Sequence, residues 1–245
     1  MTWSIVARDP GTGQIGIAVS TCAFAVGGRV PFIETDVGAV ATQAMVNPFY
    51  GSRGLALIKA GAGPEDAIRI MTGADEGRAD RQLHLMSADG RNAAYTGPDC
   101  VPWCGHEVRT DVSVAGNMLA GPEVVRDTVA AFEAAAGRPL HERFLLALRA
   151  GEAAGGDKRG KQSAAILIHD AEEHPFLDIR VDDHADPLTE LARLVDVWKG
   201  RARHYREALP SRARPSGIVG RDAIERFIAD RLAAEERAGP GAGVA

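Results

Sequence analysis

Residues 2–21, TWSIVARDPGTGQIGIAVST, decide the fold. Ile5 and Ala7 alternate with Ser4 and Val6, and Gln14 to Ser20 alternates again through Ile15, Ile17 and Val19. Pro10-Gly11-Thr12-Gly13 between them is turn chemistry, so the stretch predicts a β-hairpin. A chain that opens on a hairpin pairs neighbouring strands antiparallel, which argues against the strict βαβ alternation of a doubly wound sheet. The hairpin also puts a threonine at the head of its first strand. An initiator Met is ordinarily trimmed before a residue as small as Thr2. Trimming would leave a hydroxyl nucleophile and an amine base in one amino acid, one of the few single-residue catalytic units. On position alone Thr2 is equally a permissive second residue.

Outward from the hairpin, Thr21 to Arg29 is rich in small residues and predicts a loop or a sharply bent strand. Val37 to Gln43 has strand length. Gly51 to Ala60 predicts a helix after the Asn47-Pro48 turn. A second helix opens at Pro64, with Glu65 and Asp66 where the helix dipole favours acids. Gln82 to Ser87 and Asn92 to Tyr95 flank Asp89-Gly90, a strong hairpin signal. Val108 to Ala115 is a further strand, Pro122 to Ala136 a helix closed by Gly137, and Leu140 to Arg149 another helix. Ser163 to His169 and Phe176 to Val181 are strands. Helices thus come in pairs between strand-rich segments.

The chain changes character after Pro187. Leu188, Leu191, Leu194, Val195 and Trp198 mark an amphipathic helix. A basic stretch from Lys199 to Arg214, a linker at 210–217 and a final helix over 221–237 follow, and the residues from Gly239 read as disordered. The domain border is therefore placed at 198/199. Homo-oligomerisation is expected from the amphipathic C-terminal helices.

Bulk properties bound the function. The 245 residues are 45% hydrophobic and 25% charged, an ordinary globular composition. The net charge of −5 offers no broad basic surface for nucleic acid. No secretory leader and no run of about 20 apolar residues is visible, so a cytoplasmic, non-membrane protein is expected. Cys22, Cys100 and Cys104 fit reduced thiols, because Cys100-x-x-x-Cys104 lacks the second ligand pair of a zinc site.

Four clusters accompany Thr2. Gln43 and Asn47 sit at a strand-to-helix junction with polar amides. Gly116-Asn117 precedes a helix, where an amide and a backbone N–H can serve as oxyanion donors. A glycine-rich charged loop carries Asp157, Lys158 and Arg159 and leads into Ser163. It lacks P-loop spacing and reads otherwise as a solvated turn. Asp182, Asp183, His184 and Asp186 are a candidate metal cluster, or a cap for the helix after Pro187. No Gly-x-Ser-x-Gly elbow, His-Glu-x-x-His pair or dinucleotide fingerprint occurs.

Taken together, residues 2–10, Gly38 to Ala44, Gly116 to Gly121, Gly155 to Asp157 with Gln162-Ser163-Ala164, and Arg180 to His184 resemble domain-of-unknown-function family 1028, grouped with the N-terminal-nucleophile (Ntn) hydrolases. The resemblance covers about residues 1–195. It implies an α+β, four-layer αββα sandwich of two antiparallel sheets, and amide-bond hydrolysis. The opening is also similar to proteasome β-subunits, but Ala18 to Cys22 carries no Asp and the nearest basic residue is Arg29. The expectation is an amidohydrolase with Thr2 and Asn117 catalytic, and with Gln43, Asn47, Gly116, Asp157, Lys158, Arg159 and Ser163 contacting a small, anionic substrate without metal or cofactor. The alternatives are a non-catalytic ligand-binding or assembly protein on the same fold, and a nucleophile at Cys22, Ser20 or Ser4.

Overall fold

The computed structural model describes residues 2–238; the expected disorder from Gly239 onward lies outside them. The opening hairpin is present as β1 (Thr2–Arg8) and β2 (Ile15–Thr21). They are followed by β3 (Pro31–Glu34), β4 (Gly38–Ala44), α1 (Phe49–Lys59), α2 (Pro64–Gly73), β5 (Arg81–Ser87), β6 (Asn92–Thr96), β7 (Gly105–Arg109) and β8 (Val112–Asn117). The chain continues through α3 (Glu123–Ala134), α4 (Leu140–Ala153), β9 (Ser163–His169), β10 (Leu177–Val181), α5 (Pro187–Val197), α6 (Arg203–Ala208) and α7 (Arg221–Ala238).

Two sheets form, ordered β10-β9-β2-β1-β8-β7 and β3-β4-β5-β6, and every strand pair is antiparallel. α3 and α4 cover the first sheet and α1 and α2 the second, so the architecture is a four-layer αββα sandwich. Strand periodicity sorts the side chains. Val6, Ile17, Val19, Ala39, Ala41 and Met86 pack between the sheets. Val40, Leu83 and Leu85 face the other way, onto Tyr50, Leu55, Ile68 and Met71 of α1 and α2. Gly51 lets α1 settle on β3, since a Cβ there would lie 2.2 Å from the Phe32 ring.

One strand expectation is corrected. Val108 to Ala115 is not one strand but the middle of a hairpin, β7 and β8, broken at Thr110-Asp111. Asp111 takes φ 57°, a left-handed turn that a non-glycine residue does not advertise in sequence. β3, a four-residue edge strand, shows no alternation, and the sequence predicts no element there.

The chain divides into two compact units at Leu191/Ala192, inside α5 and ahead of the composition change at Lys199. In the second unit several basic residues meet acids of α6 and α7. Arg201 forks onto Glu225 at 2.7 Å through both terminal nitrogens, Arg203 pairs with Glu235, and His204 stands between Glu207 and Glu235. Among the described residues no helix is long and apolar enough to cross a membrane.

Candidate functional site

One end of the sandwich collects the head of β1, the ends of β2, β4 and β8, and the starts of β5 and β9. Thr2 pairs with Asn117 across β1 and β8 and is 7% exposed. Its Oγ1 lies 3.3 Å from Oγ1 of Thr21. Its carbonyl accepts two long bonds, from Asn117 Nδ2 at 3.4 Å and Gln43 Nε2 at 3.5 Å.

Beneath Thr2 the sheet interface turns polar. Gln82, fully buried, donates through Nε2 to Gly116 O (2.8 Å), Gly105 O (3.1 Å) and Thr96 Oγ1 (2.9 Å). Carbonyl oxygens only accept, so they fix which end of the Gln82 amide is nitrogen. Its Oε1 then accepts from Gln43 Nε2 at 2.8 Å and Asn117 Nδ2 at 2.9 Å. Gln43 also donates to Ala115 O, and its Oε1 accepts the Ser4 hydroxyl proton at 2.8 Å. Because Ser4 has one proton, His84 Nε2–H must donate to Ser4 Oγ at 2.8 Å, and with the ring neutral His84 Nδ1 accepts from Ser113 Oγ at 2.9 Å. Burial, with a smaller contribution from His106, pushes the His84 pKa down to about 3.

The backbone leaves both amides sharply. Ala44 (φ 68°) and Met118 (φ 58°) directly follow Gln43 and Asn117 in the left-handed region. Such strain, ~1–3 kcal/mol per residue, persists only where the surroundings over-determine it. At Met118 they do: Met118 N and Leu119 N donate to Val101 O and Trp103 O, and Ala120 N donates to Gly156 O. Gly116 has no room for a side chain, since a Cβ would lie 2.3 Å from Leu119.

The glycine-rich loop is held against the same end. Asp157 Oδ2 accepts the Cys22 N–H at 2.8 Å, and Oδ1 accepts the Arg159 N–H at 2.9 Å. The Arg159 guanidinium closes a 3.1 Å ion pair onto Asp157. Lys158 Nζ donates to Pro102 O at 2.8 Å. Ser163, paired with Thr21, bonds Ala23 O and the Val26 N–H, clamping the loop after β2. Exposed Phe24, Met45 and Val101 stand in the loops at this end.

Thr2, Gln43, Asn117 and Gly116 are therefore brought together, and Asp157, Arg159 and Ser163 hold the neighbouring loops. Asn47 joins a different cluster. Its Nδ2 and the Tyr50 hydroxyl both donate to Asp75 Oδ2, as does Arg81 Nε. These donors hold the Asp75 carboxyl well below its ordinary range, and burial together with Asp75 pushes the Tyr50 hydroxyl up. Gln82, His84 and Thr21 are the network members that sequence reasoning missed; Ser4, an alternative nucleophile in the sequence, instead donates to Gln43 and accepts from His84 inside the network. Period-two alternation does point Gln82 and His84 to the same face, but nothing local says what lies opposite.

The acidic segment after β10 works as a cap: Asp186 accepts from Thr189 N and Oγ1, and His184 Nδ1 accepts the Asp186 N–H. Among the described residues no group of three His, Cys, Asp or Glu is placed to hold a metal ion. All three cysteines are free, and burial pushes the Cys100 thiol up to about 11.

The sequence profile of the Family of unknown function (DUF1028) matches residues 2–191. The chain belongs to that family. A member of DUF1028 from Silicibacter pomeroyi, solved by crystallography, is 34% identical, with a TM-score of 0.84 over 90% of this chain and 96% of that one. Anbu, the ancestral β-subunit from Yersinia bercovieri, is similar at 10% identity and a TM-score of 0.38, over 80% of this chain and 96% of that chain, too little to carry an argument. No match to a curated protein was found.

Proposed function

We propose that this DUF1028 member is an Ntn-type amidohydrolase whose nucleophile is Thr2 after removal of Met1. The observation that carries the reading is the convergence on Thr2: a threonine at a strand head, its hydroxyl 3.3 Å from Thr21, its carbonyl reached by the amides of Asn117 and Gln43. The α-amine, with a reference pKa of ~7.7–8.0, takes the hydroxyl proton as Oγ1 attacks the amide carbonyl. Collapse of the tetrahedral adduct breaks the C–N bond. The amine leaves with that proton, and water then hydrolyses the Thr2 ester. The long 3.4 Å bond from Asn117 Nδ2 to Thr2 O is the one a substrate oxygen can displace, and such a donor is worth ~3–4 kcal/mol. Arg159, its side chain 44% exposed, is the group for an anionic substrate tail, with Lys158 beside it.

A second reading keeps the fold without chemistry. Its support is that the amide protons of Gln43 and Asn117 already have internal acceptors in Gln82, Ala115 and Thr2. One experiment separates the two. Intact mass gives the state of Met1, and a β-lactone probe is then offered to the parent chain and to Thr2→Ala. The amidohydrolase reading expects loss of Met1, one acyl adduct on Thr2 and none on the variant, followed by turnover of a small amide. Retention of Met1, or equal labelling of Thr2→Ala, sinks it.

A further inference from the structure

The groove between α1 and α2, on the outer side of the second sheet, encloses about 340 Å³. Sites for small ligands run from ~300 to 1,000 Å³. The floor is Tyr50 and Met71, both buried, and the walls include Leu57, Ile70 and Ala74. Tyr50, Arg53 and Leu57 fall at helical i, i+3, i+7 spacing, so α1 turns one stripe toward the groove.

Only two polar groups line it. The Tyr50 phenol is already donated to Asp75, 2.7 Å away. Arg53 is different: its guanidinium sits 4.8 Å over the Phe49 ring and has no carboxylate partner among the described residues. Neighbouring charges are settled otherwise. Arg69 pairs with Asp66, Lys59 with Glu34, and Asp75, next in the chain to Ala74, accepts from Asn47, Tyr50, Arg81 and the Gly77 N–H. An apolar slot that keeps Ile70 in water, with an uncompensated guanidinium at its rim, matches a ligand with an apolar tail and one carboxylate.

We infer that the α1–α2 groove binds an apolar monocarboxylate of the short- or medium-chain fatty-acid class, at a site separate from Thr2. Octanoate, octanol and octyltrimethylammonium are titrated into the full chain by calorimetry below their micelle-forming concentrations, with the Met71 methyl followed by NMR. The expected result is saturable octanoate binding that shifts Met71, octanol weaker by about tenfold, and no binding of the cation. Arg53→Gln lowers octanoate affinity to that of octanol, and Ala74→Trp removes both. Both positions are exposed, so the variants fold, which thermal unfolding verifies. Octanoate binding indifferent to both substitutions, or no shift at Met71, overturns the site. So does a concentration-dependent dimer that Ala74→Trp dissociates, which would make the groove a contact between copies.

Discussion

Asp157 has no side-chain surface in solvent. A carboxylate so placed is tolerated only when paired and hydrogen-bonded, and it has the Cys22 and Arg159 N–H groups and the Arg159 guanidinium. Removing one partner of a buried pair costs ~3–5 kcal/mol, and since Arg159 is partly exposed the lower end applies to Asp157→Ala. Asp157→Asn keeps one acceptor oxygen and should lose only ~1–2 kcal/mol. Urea unfolding of the two variants checks this ranking, and equal midpoints would contradict it. The residue was visible in sequence, as an acid between glycines and basic residues. Its direction was not, because a carboxylate in such a loop reads the same whether it faces a ligand or a backbone N–H of a strand end 135 residues away.

Gln82 belongs to the scale of elements. Through one amide it joins the start of β5 to β4, β6, β7 and β8. Gln82→Leu preserves the approximate shape but leaves the Gln43 and Asn117 amides and the Gly116 carbonyl short of partners in a dry interior. Each such loss costs ~1–3 kcal/mol. The expected outcome is a destabilisation of at least ~2 kcal/mol, with faster hydrogen exchange at the ends of β4 and β8 than in α1 and α2. Uniform acceleration across all elements would refute a local hub. The hairpins and paired helices were legible because turn residues and apolar periods are local. β3 and the β7–β8 turn were not, for want of a period and of a glycine. The hub was illegible for a related reason: its bonds to the amides of β4 and β8 span 39 and 35 residues, and only the stacking of two sheets brings them together.

At the scale of the whole molecule, the two sheets meet across a neutral histidine. His84, on β5 of the second sheet, is fully buried against Ser4 and Ser113 of the first, and its pKa is about 3 against an ordinary 6.5. The sign follows from linkage. Between these values the unfolded chain binds a proton that the folded chain refuses, so stability rises with pH across the window. The contribution is fully present above about pH 6.5 and is lost as pH falls toward about 3, at ~1.4 kcal/mol per pH unit. Cooling the comparison to one group requires a variant without the ring. His84→Gln loses hydrogen bonds at every pH but takes up no proton there, while the carboxylates common to both chains cancel in the difference. The parent chain should therefore exceed His84→Gln in urea stability at about pH 7, and the gap should narrow by roughly 3 kcal/mol by about pH 4. A gap that stays constant over this range would mean that the imidazole is protonated in the folded sandwich; His84 Nδ1–H would then donate to Ser113 Oγ, while the bonds from His84 Nε2–H to Ser4 and from Ser4 to Gln43 would keep their direction.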